Sequence, residues 1–260
     1  MILKLLTINT HKGFSWLNTR FVLAQLRDAI RSTSADIVFL QEVIGEHAVK
    51  AKLHKDWPVD SHYEFLADSV WKDYAYGKNA VYPEGHHGNA ILSRFPIFSW
   101  QKIDISTNRL EQRGFLHCVI KVPGIRLNLH CICVHLGLWG ASRSKQYRML
   151  SSYINSHIPE RSPLVIGGDF NDWRSKSSKE FADPLGLRET FAEVKGSHAR
   201  TFPAKMPVLQ LDRFYVRHLR VKHSEAFFKG KWAKLSDHAA LLSEVEFGRP
   251  TAVKKENAPL

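Results

Sequence analysis

The feature that most constrains this chain is a succession of short apolar runs, each closed by glycine, proline or a polar cluster. Leu3 to Asn9, Ile37-Val38-Phe39-Leu40 and Leu164-Val165-Ile166 read as strands. Tyr63 to Ala67, Asn89 to Arg94, Gln101 to Ile105, Gly114 to Val122 and Ile125 to Leu136 extend the series. Leu211 to Val216, Val221 to Phe227 and Ala239 to Phe247 close it. Helical spacing marks a segment with Asn18 as N-cap and Phe21, Val22, Leu26, Ala29 and Ile30 on one face, then Ala141 to His157 and Pro184 to Val194. Many strands with short connections predict an α/β (α+β) fold, a four-layer αββα sandwich of two mainly antiparallel β-sheets face to face with helices outside. Lys50 to Gly88 is the least regular stretch.

A chain of 260 residues with 44% apolar side chains can bury a large core. No linker interrupts it, so one domain over residues 1–247 is expected, with a disordered tail over 248–260. No apolar stretch is long enough to span a bilayer, and Met1 to Leu6 is too short for a secretory core. Cys118, Cys131 and Cys133 cannot all pair, and their spacing suggests no disulfide framework, which favours a reducing cytoplasm. The formal charge of +12 steers polyanions, with nucleic acid and an anionic membrane surface both qualifying. A solvated basic surface explains it equally well. A monomer is expected.

The candidate chemistry sits where strands end. Glu42 follows a buried run, where a carboxylate needs a cation or hydrogen bonds unless it projects into solvent. Asn9 ends the first strand and either supplies a neutral oxygen to a metal, orients a neighbouring carboxylate or ties down a turn. In Gly167-Gly168-Asp169-Phe170-Asn171-Asp172 the paired glycines allow a tight turn, while Asp169 and Asn171 can face one side. That pair suits a proton acceptor for water beside a donor to phosphate, or else an Asx-type turn. Asp212 and the doublet Asp237-His238 offer a carboxylate that holds an imidazole in one tautomer, although Ser236-Asp237-His238 also reads as an ordinary turn. In Ile125 to Leu136 the residues Leu127, Leu129, Cys131 and Cys133 alternate in phase, which brings His135 out at the strand's end.

Taken together, these positions resemble the endonuclease/exonuclease/phosphatase (deoxyribonuclease I-like) superfamily, and within it the small bacterial metal-dependent hydrolases. The likeness runs from Thr7-Ile8-Asn9 through Leu40-Gln41-Glu42, Gly168-Asp169-Phe170-Asn171 and Leu211-Asp212-Arg213 to Ser236-Asp237-His238. Asn89 to Arg94 and Val134-His135-Leu136 support it. The resemblance implies that Glu42, with Asn9 and Asp237, holds Mg²⁺ or Mn²⁺. It also implies that Asp169 activates water, that Asn171 and Arg113 bind the phosphate, and that His238, oriented by Asp212, stabilises the pentavalent phosphorus or acts as acid and base. His135 matches the second active-site histidine of the deoxyribonuclease branch, but Arg94 stands nearest to where that branch has a glutamate, which suggests a phosphate donor instead. His11 replaces an acid found in abasic-site enzymes, and is either a site contact or a turn residue.

The implied reaction is metal-dependent cleavage of a phosphodiester by water. The expected substrate is nucleic acid, with a phospholipid or sphingomyelin-type head group or a small phosphate ester as alternatives. Trp139, Trp173 and Arg174 fall beside the expected site, where rings and cations would serve nucleobases or a membrane interface, or would pack under their own loops. An inactive polyanion-binding scaffold would gain nothing from clustered carboxylates. Cys131 and Cys133 alternate along an apolar strand and read as core rather than zinc ligands. No G-x-S-x-G elbow, P-loop or dinucleotide fingerprint occurs.

Overall fold

The fold is seen in a computed structural model that describes residues 1–108 and 111–248. All of the expected tail except Gly248 lies outside the described residues. Among the described residues the first sheet contains β1 (Ile2–Asn9), β2 (Ile37–His47), β3 (Asp73–Tyr82), β4 (Gly85–Ser93), β11 (Leu219–Phe227) and β12 (Ala240–Phe247), in the order β11-β12-β1-β2-β4-β3. The second contains β5 (Ile97–Asp104), β6 (Gly114–Ile120), β7 (Leu129–His135), β8 (Leu164–Asp169), β9 (Arg188–Glu189) and β10 (Asp212–Arg217), in the order β5-β6-β7-β8-β10-β9. Each sheet is antiparallel except for one central parallel pair, β1 with β2 and β7 with β8. Each parallel pair is joined by a crossover helix, α1 (Leu23–Ser32) in the first sheet and α4 (Gly140–His157) in the second.

Strand alternation divides the side chains among three cores. Leu3 and Leu5 of β1, Ile37 and Phe39 of β2, Leu129, Cys131 and Cys133 of β7 and Phe214 of β10 meet between the sheets. Phe39 and Phe214 make an edge-to-face contact with centroids 5.4 Å apart, worth about 0.5–1.5 kcal/mol beyond the area it buries. Leu6, Ile8, Val38 and Leu40 face the other way, onto Leu26, Ala29 and Ile30 of α1. Ile132, Val134 and Ile166 meet Tyr147, Leu150 and Ile154 of α4. The layers are therefore helix, sheet, sheet, helix, with the three free thiols buried in the middle.

Several local expectations change. Tyr63 to Ala67 is helix α3 (His62–Ala67), not a strand. The Ser61 hydroxyl accepts the Glu64 N–H while the Glu64 carboxylate accepts the Ser61 N–H, a capping box that outweighs the strand-like alternation. β7 begins only at Leu129, because the Ile125 N–H turns back to the Val122 carbonyl. Asn18 ends a short 3-10 turn, and α1 starts after Val22. Pro184 to Val194 is split by left-handed Gly186 into a turn, β9 and α5 (Thr190–Lys195), whose first N–H groups are capped by Glu189. The irregular stretch holds α2 (Ala48–Leu53), α3 and β3.

His62 is buried in α3 against Phe21 and Trp57, and its Nε2 has no hydrogen-bond partner. Burial, and then the charges of Lys50 and His47, push its pKa down to about 3. The folded value lies below the ordinary one, so the unfolded chain takes the proton first. Stability is therefore complete above pH 6.5 and is lost as pH falls toward 3, at up to about 1.4 kcal/mol per unit. Thermal unfolding followed between pH 7 and 4 should show a shallower slope for His62→Gln than for the parent, and equal slopes would remove His62 as a cause.

Candidate active site

One consequence of the strand phase is that the inward-facing residue at the end of each central strand is polar. Asn9 continues the inward face of Leu3, Leu5 and Thr7, and His135 that of Leu129, Cys131 and Cys133. Asp169 follows Val165, and Asp212 opens the face that continues through Phe214 and Val216. Register aligns them, since His135 lies opposite Asp169 and Asp169 opposite Asp212. The parallel pairs of both sheets thus point their C-terminal ends into one mouth. β2 would break the pattern, because Gln41 is its inward residue. A bulge between Leu40 and Val43, with Glu42 at φ +53°, re-aims Glu42 toward the mouth. Gly168, at φ +142°, lies where a Cβ would strike the Val134 carbonyl, so only glycine admits the turn that presents Asp169.

The contacts join the two sheets' contributions. Asn9 Nδ2 donates to Asp169 Oδ2 at 3.2 Å and to Glu42 Oε1 at 3.4 Å, while its side-chain Oδ1 accepts the His11 N–H. Asn9 therefore orients two carboxylates and also ties down the turn at His11, two of the roles its sequence position allows. Ser236 Oγ donates to the Asn9 carbonyl at 2.6 Å and lies 3.3 Å from Asp237 Oδ1, which fixes the last loop against β1. Asp237 Oδ2 faces His11 Nε2 at 3.8 Å. His238 Nδ1 lies 2.8 Å from Asp212 Oδ2, and its Nε2 lies 3.9 Å from Asp169 Oδ2. His135 Nε2 is 3.6 Å from the same oxygen. Asn171 donates its amide N–H to the Leu136 carbonyl and its backbone N–H to Asp169 Oδ1, both at 2.9 Å.

The electrostatics separate these groups by role. Burial pushes the Asp169 carboxyl up and the Asp212 charge adds to it, so that it stays raised against the pull of His238. Burial alone would lower His238, but the carboxylates of Asp212 and Asp169 hold it well above its ordinary value, as an imidazolium. Burial and then the Arg113 charge push His135 well down, which leaves it neutral. Glu42 is the opposite case to Asp169. Burial acts to raise it, yet the Lys12 ammonium with His135 and His87 brings it below the ordinary carboxylate range.

A hard divalent cation fits here by one observation. The Lys12 ammonium, 3.1 Å from Glu42 Oε2, already supplies the positive charge that an ionised buried carboxylate requires. Glu42, with Asp237 at the same mouth, offers the oxygen ligands such an ion takes. Asp169, Asp212 and His238 form a tighter cluster, with ligand atoms within 4.8 Å. There His238 Nδ1 engages Asp212 Oδ2, while the buried Asp212 Oδ1 has no partner.

The remaining expected residues fall around the rim. Arg113 pairs with Glu111 at 3.2 Å and keeps a buried Nε without a partner, suited to a phosphate oxygen. Arg94 pairs with Asp36 at the far end of β4, away from His135. Trp139 is exposed, and Trp173 lies under the Arg143 guanidinium at 4.7 Å, so neither ring is buried by its own loop. Arg174 is exposed. Sequence reasoning missed Lys12 and His87. His87 has a buried Nδ1 without a partner, and burial moves its pKa down to about 4 despite the neighbouring Glu42. The only prior signal for Lys12 was its place before Gly13, in a turn whose His11 and Lys12 take left-handed backbone.

Two stacked sheets that deliver acids and imidazoles to one mouth define a phosphoester-hydrolase scaffold. The chain belongs to the Endonuclease/Exonuclease/phosphatase family, whose model matches residues 6–238. It is 50% identical over 242 residues to the uncharacterized protein YbhP of Escherichia coli (strain K12), covering 93% of this chain and 95% of that one. An endonuclease/exonuclease/phosphatase from Beutenbergia cavernae superposes with a TM-score of 0.73 at 19% identity, covering 95% of this chain and 72% of its own. D. rerio TDP2 complexed with a single-strand DNA product superposes with a TM-score of 0.70 at 18% identity, covering 94% and 99%. The structural likenesses show the fold. No described helix is long and apolar enough to cross a membrane.

Proposed function

We propose that this chain hydrolyses a phosphodiester with water as the nucleophile, assisted by Mg²⁺ or Mn²⁺. The observation that carries the reading is the Asn9 amide, which donates to both Glu42 and Asp169 and so couples the cation-holding side of the mouth to the proton-accepting side. Asp169, raised toward neutrality, is matched to take a proton from water. His238, held protonated by Asp212, faces developing charge on the phosphate. Neutral His135, Asn171 and the free Arg113 Nε supply further donors to its oxygens. When bound at Glu42 and Asp237, the cation would offset negative charge on the phosphate and the departing oxygen.

Replacing Glu42 with Gln should weaken Mn²⁺ binding by about a hundredfold or more, because a hard ion loses its charged oxygen ligand. Calorimetric titration of the parent and the variant reads this directly, and equal heats would remove Glu42 from the metal site. The phosphate-handling groups address the diester itself, which nucleic acid and phospholipid share. The net charge suits either, and the DNA-bound fish relative lends weight to the nucleic-acid reading. The surface around the mouth is what separates them.

A further inference from the structure

The loops that frame the mouth carry exposed apolar side chains. Leu17 lies on the segment after β1, Leu138 and Trp139 follow β7, Trp173 follows β8, and Met206 lies on the loop before β10. Leu17, Trp139 and Met206 are 75%, 72% and 72% exposed. These loops touch in two groups. The Ala204 N–H bonds to the Asp237 carbonyl, Lys205 lies over the Trp16 ring at 5.1 Å, and Arg143 joins the start of α4 to Trp173. Exposed apolar residues such as Val59 and Phe98 occur elsewhere as well, but Leu17, Trp139 and Met206 lie on three separate loops next to the catalytic opening.

Alongside the start of α1, between the segment after β1 and the loop before Ser236, is a cleft of about 720 Å³ with Trp16 and Phe21 in its wall and Arg20, Lys205, Lys231 and Lys234 around it. No acidic side chain lines it. None of the four cations makes an ion pair with a carboxylate among the described residues; Lys231 bonds only the Ser32 hydroxyl. An apolar wall under unpaired cations complements an anionic amphiphile, whose acidic head meets the charges and whose tail meets the rings. A polynucleotide would use the cations and stack on Trp16, but it offers nothing to Leu17, Leu138 or Met206.

We propose that the rim of the mouth docks on an anionic phospholipid bilayer, with the basic cleft taking an acidic head group. This rests on the phosphodiesterase reading for its purpose, and it brings a head-group diester to the catalytic groups. Leu17, Trp139 and Met206 enter the interface, while Arg20 and the three lysines hold the anionic surface.

Flotation of the full chain in chelator tests docking without turnover, using vesicles of phosphatidylcholine alone and of an equimolar mixture with phosphatidylglycerol. The chain should float with the mixed vesicles and not with phosphatidylcholine alone. Lys205→Glu with Lys231→Glu should weaken partitioning by about thirtyfold or more, because each basic residue near a charged surface contributes about 1 kcal/mol, which is about fivefold. Leu17→Ser with Met206→Ser, on exposed positions that do not threaten the fold, should also release the chain. Phe98→Ser, at the far end of β5, should change nothing. Absence of partitioning, or partitioning untouched by the Leu17 and Met206 pair, overturns the proposal. So does tighter binding of a single-stranded oligonucleotide that only the lysine reversals weaken, which would assign the face to nucleic acid. Hydrolysis of soluble bis-p-nitrophenyl phosphate with Mg²⁺ reads the catalytic site separately. Vesicle binding without that hydrolysis would fault the reaction, and hydrolysis without vesicle binding would fault the docking.

Discussion

Asp169→Asn should lower kcat on a soluble phosphodiester by about a thousandfold, within the range general-base catalysis contributes, while the protein unfolds at the same temperature or a higher one. The two effects have one cause. Asp169 is buried beside Asp212, and its carboxylate is held at a cost that its raised pKa expresses. A neutral amide of the same shape removes that cost, which offsets the loss of the Asn9 Nδ2 hydrogen bond that its nitrogen cannot accept. Its oxygen can still accept the Asn171 backbone N–H, so the turn that presents it survives. What it cannot do is accept a proton from water. Steady-state kinetics with bis-p-nitrophenyl phosphate and Mg²⁺, paired with thermal unfolding, distinguishes this from a folding defect. A variant that retains turnover would remove Asp169 as the base, and one that loses activity together with several degrees of stability would make it a structural residue.

The same burial explains how much of the site could be read in the sequence. Asn9, His135, Asp169 and Asp212 were legible because each is the polar residue in phase with an apolar strand face, and the two-residue period of a strand fixes which residues share a face. Glu42 was legible as an acid after an apolar run, but not for the right geometric reason, since strict alternation places Gln41 inward and only the bulge turns Glu42 to the mouth. Lys12 was not legible. Its ion pair depends on two consecutive left-handed residues, and nothing in the composition of Thr10-His11-Lys12-Gly13 marks them. The layered architecture followed from strand number, whereas α3 was lost because a six-residue helix holds too few turns for its period to outweigh Tyr63-Glu64-Phe65-Leu66 read as alternation. The Ser61 and Glu64 spacing was present and is the better guide at that length. Arg213 was read only as the residue after Asp212.

Arg213→Met should cost about 3–5 kcal/mol of stability, the range for removing one partner of a buried charge pair. Arg213 is wholly buried in the second sheet. Its guanidinium donates to the Ser177 hydroxyl at 2.8 Å and to the Asp172 carbonyl at 2.8 Å, and lies 3.6 Å from the Asp172 carboxylate, itself wholly buried. Asp172 keeps one other strong contact, the Ser177 N–H at 2.7 Å, and its second oxygen has none. Loss of the guanidinium would strand that charge. Because Arg213 clamps residues 172 to 177 directly after Asp169 and Asn171, turnover should fall along with stability. Asp172→Asn combined with Arg213→Met removes both charges and should recover more than 1 kcal/mol relative to the sum of the single changes, the size expected when contacting residues are coupled. Chemical denaturation of the two single variants and the double reads the coupling. Additive losses, or a single Arg213→Met cost below about 1 kcal/mol, would show that the loop is held by its packing and backbone rather than by this pair.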